Sequence, residues 1–189
     1  MKYKVSIAIS NRHVHLNKET YDLLFDSELT KKKDLNQIGQ FAANETVDII
    51  NGDYVIENVR IVGPLRPYNQ VEISASDARK LKLTPPVRTS GDLDGSLPIT
   101  IRTAKGSVDL DKGCIIADRH VHINTADKDK YGVNNGDLVK LHIGGDKSGI
   151  MDAHIKISDD GYYEVHIDTD DASAFLLNTG DEVEMEVID

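Results

Sequence analysis

The chain has 189 residues, of which 39% are hydrophobic, and this composition is ordinary for a soluble globular protein of one large or two small domains. Its formal net charge of −10 argues against nucleic acids and anionic membrane surfaces as partners, and no apolar run approaches the ~20 residues that a membrane-spanning helix needs. A single cysteine, Cys114, excludes an internal disulfide and suits a reducing cytoplasm, and we interpret it as a small buried strand residue.

Short β-like stretches separated by turn signals dominate the chain, beginning with one that is too short to be a signal peptide. The predicted strands are Lys4–Ile9, Val47–Ile50, Tyr54–Val62, Gln70–Ser74, Ile99–Arg102, Cys114–Ile123, Leu138–Ile143, Ile150–Ile157, Tyr162–Ile167 and Glu182–Val187. Predicted helices are few and begin near a possible capping residue: Asn17–Phe25, Ser76–Leu81, Asp127–Tyr131 and Asp171–Leu177. Many short strands with little helix predict a β-barrel or a β-sandwich.

The triplet His-Val-His occurs twice, each time directly after an arginine. The copies are Arg12-His13-Val14-His15 and Arg119-His120-Val121-His122, and they take four of the seven histidines. In a strand, residues i and i+2 project to the same face, so each copy directs two imidazoles towards one point. Such pairs are typical of zinc sites, and two copies predict two metal ions, an arrangement used mainly in catalysis.

Each copy is followed by a further potential ligand between two β-branched residues. Glu72 follows the first copy and His166 follows the second, and an Asp-Ala pair comes five residues after each of them. We interpret the chain as a diverged duplication in which each half holds a metal through three ligands and leaves one position open, as catalytic zinc sites do.

A single His-x-His on an amphipathic strand usually belongs to a solvated polar face, and only the repetition favours ligands here. His142 and His154 alternate with apolar residues in the same way as His166, but they have no counterpart in the repeat. We therefore expect both on solvated strand faces.

Three segments could bind an anion. Arg66 lies between two prolines close in sequence to Glu72, where it is either an anion clamp or a partner in a structural ion pair. The run Lys31–Lys33 is either a solvated loop or a polyphosphate contact. The small residues of the 85–96 loop would let backbone amides approach a phosphate, although such a loop is usually only a connection.

The motifs together resemble one family over nearly the whole chain, in order. They are Ser10–Leu16, Gly39–Ala42, Gly63–Arg66, Gln70–Ser74, Pro86–Asp92, Arg119–His122 and His166–Asp170. These segments resemble the PduL-type phosphate acyltransferases, the phosphate propanoyltransferases of bacterial microcompartments, which convert an acyl-CoA and inorganic phosphate to an acyl phosphate and free CoA.

The resemblance implies a zinc enzyme with two metal ions per chain. His13, His15 and Glu72 would hold one zinc and His120, His122 and His166 the other, with phosphate bridging them. Arg66 would be the catalytic arginine, and phosphate would attack the propanoyl or acetyl thioester directly. The further candidates for contact with substrate are Arg12, Arg88, Ser90 and Arg119. Arg12 and Arg119 alternate away from the ligand face and could instead pair with acids behind the site.

The resemblance also implies the fold and the cellular setting. The expected fold is mainly β: two small β-barrels capped by short helices, one over 12–117 and the other over 2–11 plus 118–189, with the active site between them. The expected partners are a CoA thioester, phosphate and acyl phosphate, and a homo-oligomer is expected. The first strand leaves no room for an N-terminal encapsulation segment, so we expect a cytoplasmic protein whose association with a microcompartment is open.

Two other functions use the same residues. A different dinuclear zinc hydrolase, acting on a thioester or a phosphoester, would have the same ligands with water as the nucleophile. A non-catalytic binding module would hold structural metal. Since Glu72 gives only the first set a carboxylate, we also expect the ion held by three imidazoles to be the stronger Lewis acid.

Overall fold

A computed structural model describes residues 1–188. Its strands are β1 (Lys2–Ser10), β2 (His13–His15), β3 (Lys31–Asp34), β4 (Phe41–Asn51), β5 (Tyr54–Gly63), β6 (Gln70–Ile73), β7 (Val87–Arg88), β8 (Leu97–Arg102), β9 (Ser107–Ala117), β10 (His120–Asn124), β11 (Leu138–Ile143), β12 (Gly149–Ser158), β13 (Glu164–Asp168) and β14 (Glu182–Val187). Its helices are α1 (Lys18–Leu24), α2 (Ala75–Lys80), α3 (Lys128–Tyr131), which follows a 3-10 turn at Thr125–Asp127, and α4 (Thr169–Phe175).

The chain forms two compact units. The central unit is Arg12–Ala117, and the terminal unit combines Met1–Asn11 with the chain from Asp118 onwards. Each unit has its own hydrophobic core, so each is a separately packed barrel. Among the described residues, no helix is long and apolar enough to span a membrane.

The terminal unit is a closed barrel in the order β1-β13-β10-β12-β11-β14. The pairs β1–β13 and β10–β12 are parallel and the other pairs are antiparallel. Along each strand, alternate residues point inwards, as Val5 and Ile7 of β1 and Val121 and Ile123 of β10 do. The prediction that the N-terminal strand joins the C-terminal barrel is confirmed.

The central unit also closes on itself. Its pairs run β4-β5-β2-β6-β9-β8, and β8 returns to β4, while β3 and β7 add to the edges at β4 and β9. The interior is filled by aliphatic side chains from alternate strand positions, such as Val14, Ile61, Val71 and Ile101. Two closed barrels with short helices confirm the predicted fold class.

The two barrels repeat one topology. The strands β4, β5, β2, β6, β9 and β8 correspond in order to β11, β12, β10, β13, β1 and β14, and corresponding pairs run in the same relative direction. In each barrel, a capped helix follows the strand that carries the predicted third ligand, Glu72 or His166. Ser74 caps α2 and Asp168 caps α4. The duplication inferred from the sequence is therefore present in the architecture.

Several predicted boundaries are wrong. The predicted strand Cys114–Ile123 is two strands, because the polar pair Asp118-Arg119 separates β9 from β10. The predicted strand at Tyr162 begins at Glu164 instead. The helix predicted from Asp171 begins at Thr169, because Asp168 accepts hydrogen bonds from the backbone N–H groups of Asp170 and Asp171. Lys31–Lys33 is part of the exposed edge strand β3, not a loop.

Candidate metal centres

The first ligand cluster lies where two short strands meet. His13 on β2 is directly opposite Glu72 on antiparallel β6, and His15 is on the same face of β2. His13 Nε2 is 3.5 Å from Glu72 Oε2, and His15 Nε2 is 3.7 Å from Glu72 Oε1. One potential ligand atom from each residue lies within 4.8 Å of the other two, so the three side chains could hold one ion.

The second ligand cluster has the same origin in the other barrel. His120 on β10 is directly opposite His166 on antiparallel β13. His120 Nε2 and His122 Nε2 are 3.1 Å apart, and His166 completes a group whose ligand atoms lie within 4.8 Å of one another. The structure thus brings all six predicted ligands together, three in each unit.

Hydrogen bonds fix the imidazole rings in orientations suited to metal binding. The carbonyl of Val62 accepts from His15 Nδ1 at 3.0 Å, and the carbonyl of Asp118 accepts from His120 Nδ1 at 2.9 Å. With the proton on Nδ1, the lone pair is on Nε2, which faces the cluster. Outer hydrogen bonds of this kind hold ligating histidines in known metal sites.

The donor sets fit a first-row divalent ion. A tetrahedral zinc with bonds of about 2.0–2.1 Å places its nitrogen ligands roughly 3.3 Å apart, close to the 3.1 Å between His120 Nε2 and His122 Nε2. Two lone-pair nitrogens at this distance repel each other unless a proton or a cation lies between them. His122 Nδ1 is also buried and has no hydrogen-bond partner in the described chain, which leaves that ring under-satisfied without an ion.

Burial keeps the ligands ready to bind a cation. It lowers the pKa of His15 to about 4 and, with the nearby charge of His120, that of His122 to about 2. Burial alone would raise the pKa of Glu72, but electrostatic attraction by the neighbouring His13 and His15 outweighs it and holds that pKa well below its usual range. At neutral pH, His15 and His122 are therefore neutral imidazoles and Glu72 is a carboxylate, which are the ligating forms.

The buried histidines predict that the metal-free protein loses stability in mild acid. In the unfolded chain, His15 and His122 bind protons near pH 6.5, whereas the folded pKa values are about 4 and about 2. Between pH 6.5 and 4 the unfolded chain therefore binds more protons, and the free energy of unfolding falls as the pH falls. A folded pKa that is one unit below the unfolded pKa corresponds to about 1.4 kcal/mol. We therefore expect the free energy of unfolding to fall by a few kcal/mol.

Urea unfolding of the chelator-treated protein at pH 7, 6 and 5 measures this loss. The variant His122→Asn should show a smaller pH dependence, whereas His142→Asn, which removes a half-exposed histidine bonded to Glu186, should retain it. A free energy of unfolding that is constant from pH 7 to 5 would contradict the prediction.

Arg66 lies next to the first cluster and keeps its charge available. Its backbone N–H donates to the carbonyl of Leu16, the residue after His15, at 2.9 Å, and its charge contributes to the lowered pKa of His15. The guanidinium donates to Tyr68 Oη at 2.9 Å and to Gln40 Oε1 at 3.1 Å. No carboxylate of the described residues forms an ion pair with it, so the geometry favours the anion clamp over the structural ion pair.

Comparison with known proteins identifies the relatives of this chain. A family model described as phosphate propanoyltransferase matches residues 6–178. The chain is 47% identical over 181 residues to the phosphate propanoyltransferase of Thermotoga maritima, which covers 94% of this chain and 86% of the relative. Identity is 46% over 180 residues to the phosphate propanoyltransferase of Priestia megaterium, with 94% and 83% covered, and 44% over 182 residues to that of Shewanella putrefaciens, with 95% and 86% covered.

The chain belongs to the phosphate propanoyltransferase family. The resemblance seen in the sequence motifs is confirmed, and the match to the phosphate propanoyltransferase model includes both ligand clusters and Arg66.

Two of the four candidate substrate contacts in this phosphate propanoyltransferase family member form ion pairs within their own units. Arg12 donates to both oxygens of Asp77, at 2.7 and 2.8 Å, and Arg119 pairs with both oxygens of Asp171, each at 2.8 Å. These hydrogen bonds raise the pKa of both arginines. The two Asp-Ala pairs of the repeat therefore have the same structural use, and through the aspartate each connects the arginine before a His-Val-His strand to the helix that follows the strand of the third ligand.

The ion pair of Arg12 should matter for stability, because Asp77 is only 1% exposed. In Arg12→Ala the buried carboxylate keeps only the more distant Lys80, at 3.6 Å, so we expect a loss of about 2 kcal/mol in the free energy of unfolding. Asp77→Asn in the same chain should recover part of the loss, because it removes the unpaired charge. Urea denaturation of the four proteins of this double-mutant cycle measures the coupling, and strictly additive effects would show that the pair contributes nothing.

The other two candidates lie on β7 and on the loop that follows it. Arg88, the last residue of β7, donates to the carbonyls of Asp94 and Val87 at 2.8 and 2.9 Å. Ser90 instead contacts a neighbour of the first cluster, because its Oγ accepts from Gln70 Nε2, which also donates to Glu72. The structure therefore favours Ser90 over Arg88 as a residue near the first ligand cluster.

Sequence reasoning missed four residues that touch the ligands: Gln70, Asp118, Tyr162 and Glu164. Tyr162 Oη lies 2.6 Å from His166 Nε2, and its ring stacks on His122 with centroids 5.1 Å apart. Glu164 is 8% exposed, and its Oε2 is 3.3 Å from the same nitrogen. This carboxylate lies beside the second cluster but is not one of its three grouped ligands, so the expected difference in Lewis acidity stays a prediction. Strand alternation could have indicated Glu164, two residues before His166.

Proposed function

We propose that this chain is a phosphate acyltransferase that converts propanoyl-CoA or acetyl-CoA and inorganic phosphate to the acyl phosphate and free CoA, with zinc as its metal. The observation that carries the proposal is the pair of three-ligand clusters in a chain of the phosphate propanoyltransferase family. Beside one cluster lies Arg66, which forms no ion pair with a carboxylate of the described residues. In each cluster three protein ligands leave a position open, as in catalytic zinc sites.

The chemistry requires that two anions approach each other. Phosphate must come close to a CoA thioester that itself carries phosphates, so the site has to supply positive charge and orientation. Zinc, when bound, supplies charge that neutralises the phosphate and polarises the thioester carbonyl. Arg66 provides a planar set of donors for phosphate oxygens, and its hydrogen bonds to Tyr68 and Gln40 fix its direction.

No protein nucleophile is needed in this reaction. A phosphate oxygen forms the new bond to the acyl carbon, the carbon–sulfur bond breaks, and CoA leaves as a thiolate. A thiol has a pKa of about 8.5 in water, so the leaving group does not need a strong acid. Cys114 is unsuited to covalent catalysis, because it is fully buried and burial raises its pKa to about 12.

A thiol-release assay tests the proposal directly. Protein of measured zinc content is incubated with acetyl-, propanoyl- and butanoyl-CoA, with and without phosphate, and acyl phosphate is trapped as the hydroxamate. We expect CoA release that depends on phosphate and matches acyl phosphate one to one. CoA release in phosphate-free buffer would instead indicate the alternative, a zinc-dependent thioester hydrolase with water as nucleophile.

Metal analysis tests the cofactor separately. We propose two zinc ions per chain, one for each cluster, measured by atomic emission after removal of loosely bound metal. Phosphate-dependent activity that survives complete removal of metal would refute the role of zinc while leaving the acyltransferase activity in place.

A further inference from the structure

One strand position is used in the same way in both barrels. Gln70 and Glu164 each precede the third ligand of their cluster by two residues, so each shares a strand face with that ligand. In the strand pairing, Gln70 is directly opposite His15 and Glu164 is directly opposite His122. Both side chains are buried, with exposed fractions of 0% and 8%.

Gln70 holds the carboxylate ligand of the first cluster. Its Nε2 donates to Glu72 Oε1 at 2.5 Å and to Ser90 Oγ at 2.9 Å, while its Oε1 accepts from the backbone N–H of Gly91 at 2.7 Å. Since a backbone N–H can only donate, the contact with Gly91 identifies Oε1 as the acceptor and fixes the amide orientation. The NH₂ group must then face Glu72, so both the oxygen and the nitrogen of the amide are hydrogen-bonded within the site.

Glu164 holds the imidazole ligand of the second cluster. Its Oε2 lies 3.3 Å from His166 Nε2, and Tyr162 Oη lies 2.6 Å from the same nitrogen. A carboxylate accepts only, so when His166 carries its proton on Nε2, that N–H donates to Glu164 and the lone pair is on Nδ1. No hydrogen bond to His166 Nδ1 is present within residues 1–188, so that nitrogen can face a metal.

We infer that Gln70 and Glu164 are matched positioning residues, each orienting the third metal ligand of its own cluster. Their chemistry is complementary to the ligand they hold: an amide donor serves the carboxylate of Glu72, and a carboxylate acceptor serves the imidazole of His166. The two halves thus differ in the type of the third ligand and, two residues earlier, in the residue that matches it. This inference rests on the proposal that the clusters bind metal.

Gln70 also contacts a loop. By holding Ser90 and Gly91, it connects the loop after β7 to the ligand Glu72. Occupation of the first cluster should therefore order this loop, while occupation of the second should not.

Metal affinity measured one cluster at a time tests the inference without using activity. His120→Ala leaves only the first cluster intact and His13→Ala leaves only the second, and zinc affinity is measured in each full-length background by chelator competition. Gln70→Glu places a second carboxylate against Glu72, and Gln70→Met keeps the shape without the donor. Both should weaken zinc 10- to 100-fold at the first cluster, the usual effect of losing an outer-shell partner.

At the second cluster, Glu164→Ala should weaken zinc by the same factor. Glu164→Gln, which keeps an acceptor oxygen, should stay within about threefold of the parent, because the N–H of His166 still has a partner. Cobalt substitution adds a spectroscopic readout, since misorientation of one ligand changes the intensity of the visible bands. The matched controls are Gln37→Glu and Glu182→Ala, which repeat the substitutions away from the ligands and should change neither affinity nor spectrum.

The outcomes separate this inference from the proposed function. If the parent chain binds no metal, the proposed zinc sites fail and the inference fails with them. If the parent binds two ions and Gln70→Glu, Gln70→Met and Glu164→Ala bind zinc as tightly as their parents, only the positioning roles are wrong. Thermal unfolding of each variant identifies any that does not fold, and Gln70→Met decides the question if Gln70→Glu is one of them.

Discussion

Replacing His13 or His120 with alanine is expected to remove one equivalent of zinc per chain and to lower kcat by about 10³-fold or more. Each histidine is one of three ligands of its cluster, and two remaining ligands are too few to hold a catalytic zinc. Lewis-acid stabilisation by a bound metal is worth several kcal/mol in the transition state, and each 1.4 kcal/mol is a factor of ten in rate. Atomic emission and the thiol-release assay on the same samples measure both effects.

The histidine at position 142 gives a matched control. It lies in the terminal unit, is bonded to Glu186 and is in neither ligand cluster of the described chain, so His142→Ala should keep two zinc ions and most of the activity. If His13→Ala and His120→Ala both retain two zinc ions, the ligand assignment is wrong. If each loses one ion but retains full activity, the metals are structural and take no part in the reaction.

Replacing Arg66 with alanine should leave both zinc ions in place and lower kcat/KM for phosphate about 100-fold. The guanidinium has no carboxylate partner in the described chain and lies beside the first cluster, so its charge is available to an anion. A hydrogen bond to a charged group contributes about 1.5–3 kcal/mol, and that range corresponds to roughly 10- to 150-fold. The KM for acyl-CoA should change less, because the arginine contacts phosphate in this proposal.

Two further variants sharpen the test of Arg66. Arg66→Lys should recover only part of the loss, since lysine supplies the charge without the planar pair of donors. Arg79→Ala removes an exposed arginine of the same unit, bonded to Ser76, and should leave the kinetics unchanged. An unchanged KM for phosphate in Arg66→Ala would exclude the clamp, and loss of zinc in that variant would show that Arg66 supports the ligands instead.

Alternation such as that of Val139-Lys140-Leu141-His142-Ile143 in β11 predicted most strand centres and a barrel or sandwich, whereas the two-barrel fold was implied by the family resemblance. The prediction of strands failed where a segment is a strand only because it pairs with distant parts of the chain. β2 has only three residues, and β7 only two, so neither carries enough alternation to be recognised. The division between β9 and β10 has no glycine or proline, and two polar residues inside an apolar run were not a sufficient signal.

The candidate site was predictable to the extent that it is repeated. The two Arg-His-Val-His copies and the matched positions 72 and 166 indicated six ligands, and the structure places these in two clusters. The repetition did not indicate the position two residues before the third ligand. Gln70 and Glu164 occupy it, and their contacts depend on strand register and side-chain direction, which no short motif encodes.

The place of β1 in the terminal barrel has a consequence for biosynthesis. This strand leaves the ribosome first, yet its neighbours β13 and β14 are made last, after the whole central unit. The first strand therefore remains unpaired during much of synthesis. Residues Arg12–Ala117 can already form their barrel, because all the strand partners of that barrel lie within this range. Contacts so distant in sequence form slowly, since a long loop must be closed before any pairing is gained. Nascent chains halted near residue 160, where β9 has left the exit tunnel and β13 is not yet made, should accordingly resist proteolysis over the central unit while their first ten residues remain open to cleavage.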